Sequence, residues 1–207
     1  MTAHVALDND STHTSRSRLL EAGKTLFAQS GYEQTSTAAI AREAGTSESQ
    51  LIRYYAGKAG LLTAIFDQSW AVLNQQIQTS IARAATAREA LTAVLETMLE
   101  AFTADPDTGF LFAFEGRRVR GGTSEIALSK GFVEFQELLR MVVGRGRRDG
   151  TFAAGYSEEA LAIALMGAVE ALLRERLIAR RAGRPDPFSD EELKRVFTGL
   201  VTGLAAG

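Results

Sequence analysis

The chain has 207 residues, 45% hydrophobic and 23% charged, which is the make-up of an ordinary globular protein and excludes disorder in its bulk. It has no cysteine, which excludes disulfides, thiolate metal sites and cysteine nucleophiles, and a reducing, cytoplasmic setting is expected. Its 23 basic and 25 acidic side chains leave a net charge of −2, so overall charge gives no sign of a polyanionic partner.

Residues 1–13 lack both a basic n-region and an apolar h-region and are expected to form a flexible polar arm rather than a targeting segment. Both histidines, His4 and His13, fall in that arm. The body therefore offers no imidazole for a Ser/His/Asp triad, a general base or a His-ligated metal, and no catalytic residue, metal or cofactor is expected.

Beyond the arm, helical periodicity dominates and no set of alternating strands appears, so the fold class is all-α. Over residues 14–30, Leu20, Gly23, Leu26 and Phe27 share one helical face, and Gly31 is the expected stop. A short helix over 37–44 ends at Gly45. Ser47 then starts another, with Gln50 three residues on as a capping box. Residues 58–81 form a connector helix carrying Leu61, Leu62, Ile65, Trp70, Leu73 and Ile77.

A helix over 87–103 is ended by Asp105-Pro106. The next segment, GFLFAFEGRRV, has the composition of a strand but no partner to pair with, and is expected to be helical. Further helices are expected over 124–148, 157–182 and 189–205. The longest apolar run, residues 160–169, is about half of the ~20 residues needed to cross a bilayer, so no membrane partner is expected.

Residues 37–55 have the anatomy of a helix-turn-helix. The second helix opens with Glu48, Ser49 and Gln50, short polar side chains suited to base edges in a major groove. Spacing alone also fits a structural helical hairpin, packed through Ile40, Ala41, Ala44 and Leu51. Residues 1–58 hold equal numbers of basic and acidic side chains, so DNA binding there rests on placement, with Arg16 and Arg18 as candidate phosphate contacts. Glu48 has two readings, a bond from cytosine N4 or compensation of the helix dipole.

The run LLEAGKTLFAQSGYEQTSTAAIAREAGTSESQLIRYYAGKAGLL, residues 19–62, closely resembles the N-terminal domain of the TetR family of bacterial transcriptional repressors. Phe27, Gly31, Thr35, Ile40, Ala41, Gly45, Ser47, Leu51, Tyr54, Lys58 and Leu61 stand at the family's pattern positions without a gap. The resemblance implies base contacts from Thr37, Glu48, Ser49 and Gln50, and phosphate contacts from Tyr54 and Lys58, with Thr35 either capping or touching the DNA backbone. Two residues depart from it: Ile52 stands where tyrosine is common and Ser49 where glycine is common. Ile52 would either meet a thymine methyl or face the core.

The remainder resembles the family only in its helical layout, which implies a ligand-binding and dimerisation domain. The expected organisation is thus an arm over 1–13, a helix-turn-helix domain over 14–58, and a helical domain over 59–207. Clustered phenylalanines there usually just pack together, but the resemblance implies an effector pocket lined by Met98, Phe102, Phe110, Phe114, Phe132 and Phe135, with Arg117 as a polar contact.

Residues 193–204 carry Leu193, Val196, Phe197, Leu200, Val201 and Leu204 in a helical stripe, and residues 160–178 are apolar nearly all round. Either that second helix is buried within one subunit, or a homodimer bundle covers it through Leu161, Gly167, Ala168, Ala171, Leu193, Phe197, Leu200, Val201 and Leu204. The glycines and Thr123 of residues 116–123 mimic a phosphate loop, but Gly122 stands where the lysine must be.

The expected function is a homodimeric, operator-binding repressor released by a small, largely apolar effector. Two other classes are a non-catalytic helical interaction module and a small enzyme using Glu115, Arg117 and Tyr156.

Overall fold

The computed structural model describes residues 3–114, 129–153 and 155–204, with side chains from residue 15 onward. The described residues are helical and contain no strand. The elements are α1 (Ala3–Ser30), α2 (Thr37–Glu43), α3 (Glu48–Tyr55), α4 (Lys58–Arg83), α5 (Ala87–Ala104), α6 (Pro106–Phe114), α7 (Lys130–Arg148), α8 (Glu158–Arg181) and α9 (Asp190–Gly203). Among them no helix is long and apolar enough to cross a membrane. Arg117, Glu115, the phosphate-loop mimic and the expected helical start at 124–128 lie outside the described residues.

Most helix starts are set by local chemistry. Ser36, Ser47, Thr86, Ser129, Ser157 and Ser189 each accept a bond from the backbone amide three residues on, satisfying a donor that the first helical turn leaves unpaired. The aromatic segment is helical, as its lack of a pairing strand requires. Pro106 occupies its first position, where a missing N–H costs nothing, and the Asp105 carboxylate accepts from the Thr108 amide at 3.1 Å and hydroxyl at 2.8 Å. Helix α1 begins at Ala3 and so runs through most of the residues expected to form the arm. No glycine or proline stands before Gly23 to stop a helix from growing back through Ala6 and Leu7.

The core is continuous but has two ends. Leu19, Phe27, Ile40, Leu51 and Leu61 are fully buried where α1–α3 meet the start of α4. Ile77, Leu91, Leu95, Val143, Leu193 and Val201 are fully buried where the rest of α4 packs with α5, α7 and α9. Gly131 lets α7 cross α4 closely, since a Cβ there would lie 2.2 Å from the Trp70 Cβ. Asn74, one turn further along α4, donates to the Gly131 carbonyl at 2.9 Å.

The stripe assigned to a subunit seam divides differently. Leu161 (4% exposed), Leu193 (1%), Phe197 (2%) and Val201 (0%) are buried within the subunit itself, α9 lying mainly on α5. Ala168 and Leu204 are partly covered, and Gly167, Ala171 and Leu200 face outward beside Ile163 and Val196. A stripe six residues wide covers more than one face of a helix: 193, 197 and 201 point inward, and 196 and 200 form its outer flank.

The α8–α9 loop is pinned by charge. Buried Arg176 pairs with Asp186 at 2.9 Å and with Asp190, and Arg180 reaches Asp186 at 2.7 Å. The hydrogen bond from Arg180, seconded by Arg176, holds the Asp186 carboxyl well below the usual carboxylate range despite partial burial.

Candidate nucleic-acid interface and effector cavity

Gly45, at φ +60°, turns the chain between α2 and α3 and sets their N-termini side by side. The Thr37 hydroxyl donates to the Glu48 carboxylate at 2.5 Å, joining the first residues of the two helices. Ser47 accepts from the Gln50 amide at 3.3 Å, and the Gln50 side-chain carbonyl accepts from the Ser47 amide at 3.3 Å. The Ser47 and Ser49 hydroxyls lie 2.9 Å apart. The four residues expected to read bases, Thr37, Glu48, Ser49 and Gln50, thus belong to one hydrogen-bonded patch. Ile52, 55% exposed, faces outward and not into the core.

The expected phosphate contacts divide. Thr35 is 5% exposed, and its hydroxyl donates to the carbonyls of Gly31 at 2.8 Å and Leu26 at 3.2 Å, so it ties the turn to α1 and does not face a ligand. Lys58 is half-buried; its Nζ donates to the Tyr32 carbonyl at 2.8 Å and sits 4.2 Å from the centre of that ring. Both residues bond to carbonyls in the last turn of α1 or the turn after it, which the sequence pattern could not distinguish from a bond to phosphate. Tyr54 accepts from Arg53 at 2.8 Å. Arg16 and Arg18 are exposed, Arg18 donating to Ser15 at 3.4 Å.

Tyr55, unnoticed in the sequence, locks α3 to α1. Its buried hydroxyl donates to the Arg16 carbonyl at 2.8 Å, and burial pushes the phenol's pKa up. Ala56 at φ 55° and Gly57 at φ 103° then reverse the chain into α4.

The second candidate site is a partly open, largely apolar cavity between α4, α5, α6, α7 and α8. Met98, Phe102, Phe132 and Phe135 line it as expected. Phe110 and Phe114 do not: they stack on each other at 4.5 Å, outside its wall. The sequence reading missed Trp70, Phe112, Ala113, Glu170, Leu173, Arg174 and Leu177.

Trp70 stacks on Phe112 with centroids 4.3 Å apart and 14° between planes, and Phe102 meets Phe112 edge-on at 5.8 Å. These offset and perpendicular pairings hold a flat aromatic floor open without filling the space above it. Glu170, Leu173, Arg174 and Leu177 recur at i, i+3, i+4 and i+7, the signature of one helix face. That face of α8 is the signal that was available in the sequence. An apolar container with Glu170 and Arg174 as polar points suits a largely apolar small molecule.

Residues 19–65 match the family described as bacterial regulatory proteins, tetR family. The chain is 26% identical over 159 residues to the HTH-type transcriptional repressor KstR2 of Rhodococcus jostii (strain RHA1), covering 77% of this chain and 78% of that protein. It is 23% identical over 101 residues to the fatty acid metabolism regulator protein of Bacillus subtilis (strain 168), covering 49% of this chain and 52% of the relative, so the match spans about half of that relative's length. Its fold is that of FadR from Bacillus subtilis, solved in complex with stearoyl-CoA, with a TM-score of 0.79 at 16% identity over 91% of this chain and 98% of that one.

Proposed function

We propose that this chain, whose residues 19–65 are a TetR-family DNA-binding domain, is a cytoplasmic, non-enzymatic repressor that binds a palindromic operator as a homodimer and leaves it when a small apolar effector fills the cavity. The observation that carries the reading is the convergence of Thr37, Glu48, Ser49 and Gln50 at the paired N-termini of α2 and α3. Donors at helix N-termini suit a polyanion, and short polar side chains there suit base edges. Phosphate contacts fall to Tyr54, Arg16 and Arg18, with Lys58 free to contribute only if it releases Tyr32. The dimer forms through the outward flank of Ile163, Gly167, Ala171, Val196 and Leu200, where small residues let a second copy approach closely.

The effector acts through α4, which begins at Lys58 beside the recognition helix and carries Trp70 into the cavity wall. It releases DNA only to the extent that it binds the released arrangement more tightly. Selection from a random duplex pool by the full-length chain tests the proposal. A palindromic consensus with half-sites about one helical turn, ~34 Å, apart is the expected result. A pool left unenriched would overturn it.

A further inference from the structure

Arg181 is the last residue of α8, and its guanidinium touches three elements at once. It donates to the carbonyls of Ala28 and Gln29, in the last turn of α1. Its Cζ lies over the Phe110 ring of α6, 4.0 Å from the ring centre, and that ring in turn stacks on Phe114. Two of these elements are walls of the cavity. Gly109 and Phe112, on either side of Phe110, line it, and so does Leu177, one turn before Arg181. The third element, α1, runs straight into the turn that places the DNA-reading patch.

Most carbonyls at the end of α1 have partners in this arrangement. The Phe27 carbonyl accepts from the Gly31 amide, those of Leu26 and Gly31 accept from Thr35, and those of Ala28 and Gln29 accept from Arg181. Ser36 follows directly as the cap of α2, with Thr37 behind it. An ion pair also joins α1 to the larger body, Lys24 with Asp105 at 2.8 Å. A lysine ammonium is a point charge that follows its partner through a change of angle. A planar guanidinium, bound at its edge by two carbonyls and at its face by a ring, holds only one relative orientation.

We propose that Arg181 is a positioning residue that transmits the state of the cavity to the DNA-reading patch, by a route that bypasses α4. Filling the cavity pushes α6 and α8 apart, strips the Phe110 ring from the guanidinium, and leaves the last turn of α1 without its donors. The proposal rests on the reading of the chain as an effector-released DNA binder, and its test separates the two.

Ala113, a small residue of the cavity wall, is replaced to stand in for an effector: Ala113→Trp in the wild-type background and in Arg181→Gln. Binding is read by fluorescence anisotropy on the duplex that the wild-type chain selects. Amide hydrogen exchange of residues 28–35 is followed in parallel. In the wild-type background, filling the cavity is expected to weaken binding about five-fold or more, the lower end of ordinary coupling between sites, and to speed exchange at 28–35. In Arg181→Gln, exchange there is already fast and Ala113→Trp does not speed it further, while the weakening of binding is smaller than in the wild-type background because only the route through α4 remains. Arg181→Lys, which keeps the charge but not the fork, behaves like Arg181→Gln.

Equal weakening by Ala113→Trp in both backgrounds, or exchange at 28–35 unmoved by Arg181→Gln, overturns the proposal. If the wild-type chain selects no duplex, the functional reading fails and the exchange measurements alone decide the role of Arg181. If Ala113→Trp does not fold, judged by circular dichroism, the cycle of Arg181→Gln with Phe110→Leu takes its place. Their effects on exchange at 28–35 are then non-additive if the ring and the guanidinium act as one unit, and additive if they do not.

Discussion

Helices α1–α3 are held together at their turns by polar side chains bonded to backbone: Thr35 to Leu26 and Gly31, Tyr55 to Arg16, Ser47 with Gln50, and Lys58 to Tyr32. Around α4–α9 the contacts are mainly between apolar side chains far apart in sequence, such as Trp70 with Phe112 and Phe135, and they leave a cavity between the helices. Directional bonds at short range fix the shape of a small body, in which the reading patch must not drift. Non-directional packing tolerates a void, and a wall without directional bonds can move when the void is filled. The two halves also differ in what a surface residue reports, since the stripe on α9 is core on one flank and outer surface on the other.

The largest expected effect separates those flanks. Phe197→Glu buries an unpaired carboxylate and is expected to cost about 4 kcal/mol or more, enough to unfold the larger body. Leu200→Glu, three residues on and 45% exposed, is expected to keep full helicity by circular dichroism and to sediment as a monomer. A folded Phe197→Glu would mean that α9 does not close the core.

Next comes Thr35→Val, which keeps the shape of the side chain and removes the bonds to two carbonyls. A loss of about 1–3 kcal/mol in denaturant unfolding is expected, because the partners are left buried and unpaired. Unchanged stability with weakened DNA binding would return Thr35 to a phosphate role. Gly57→Ala follows, at φ 103°, a conformation that resists a Cβ. A cost of about 1–2 kcal/mol is expected in the same assay, with none of the lost α8–α9 contacts that larger-body variants show.

The smallest effect is acid sensitivity at the α8–α9 loop. The folded-state pKa of Asp186 is depressed by Arg180 and Arg176, so its contribution to stability is complete above the unfolded carboxylate value, ~4, and is lost as pH falls through the folded value. Unfolding curves from pH 7 to pH 3 are expected to steepen in their decline below pH 4, and Asp186→Asn to flatten that decline. An identical profile in the variant would remove Asp186 from the acid response.

Of the patch proposed to read DNA, the local geometry was legible in the sequence. Ser36, Gly45, Ser47 and Gln50 act on neighbours three residues away or fewer, and such contacts survive in a linear pattern. Thr35 and Lys58 bond to backbone carbonyls in this structure, which the sequence could not foresee, because a hydroxyl or ammonium near a helix end satisfies a carbonyl or a phosphate equally well. Of the cavity, the residues on α5 and α7 were legible from their aromatic clustering. Trp70 was not, because its partners lie dozens of residues away, and the α8 face was visible as a period but not as a cavity wall.

The sequence by itself determined the helices, their caps and the helix-turn-helix, since hydrogen bonds at i, i+3 and i, i+4 and the 3.6-residue period are local properties. The tertiary structure decided which flank of α9 is core, which face of α8 lines a void, and where Arg181 ends. Periodicity groups residues onto a face but does not say what covers it, and that choice depends on how segments far apart in sequence share space.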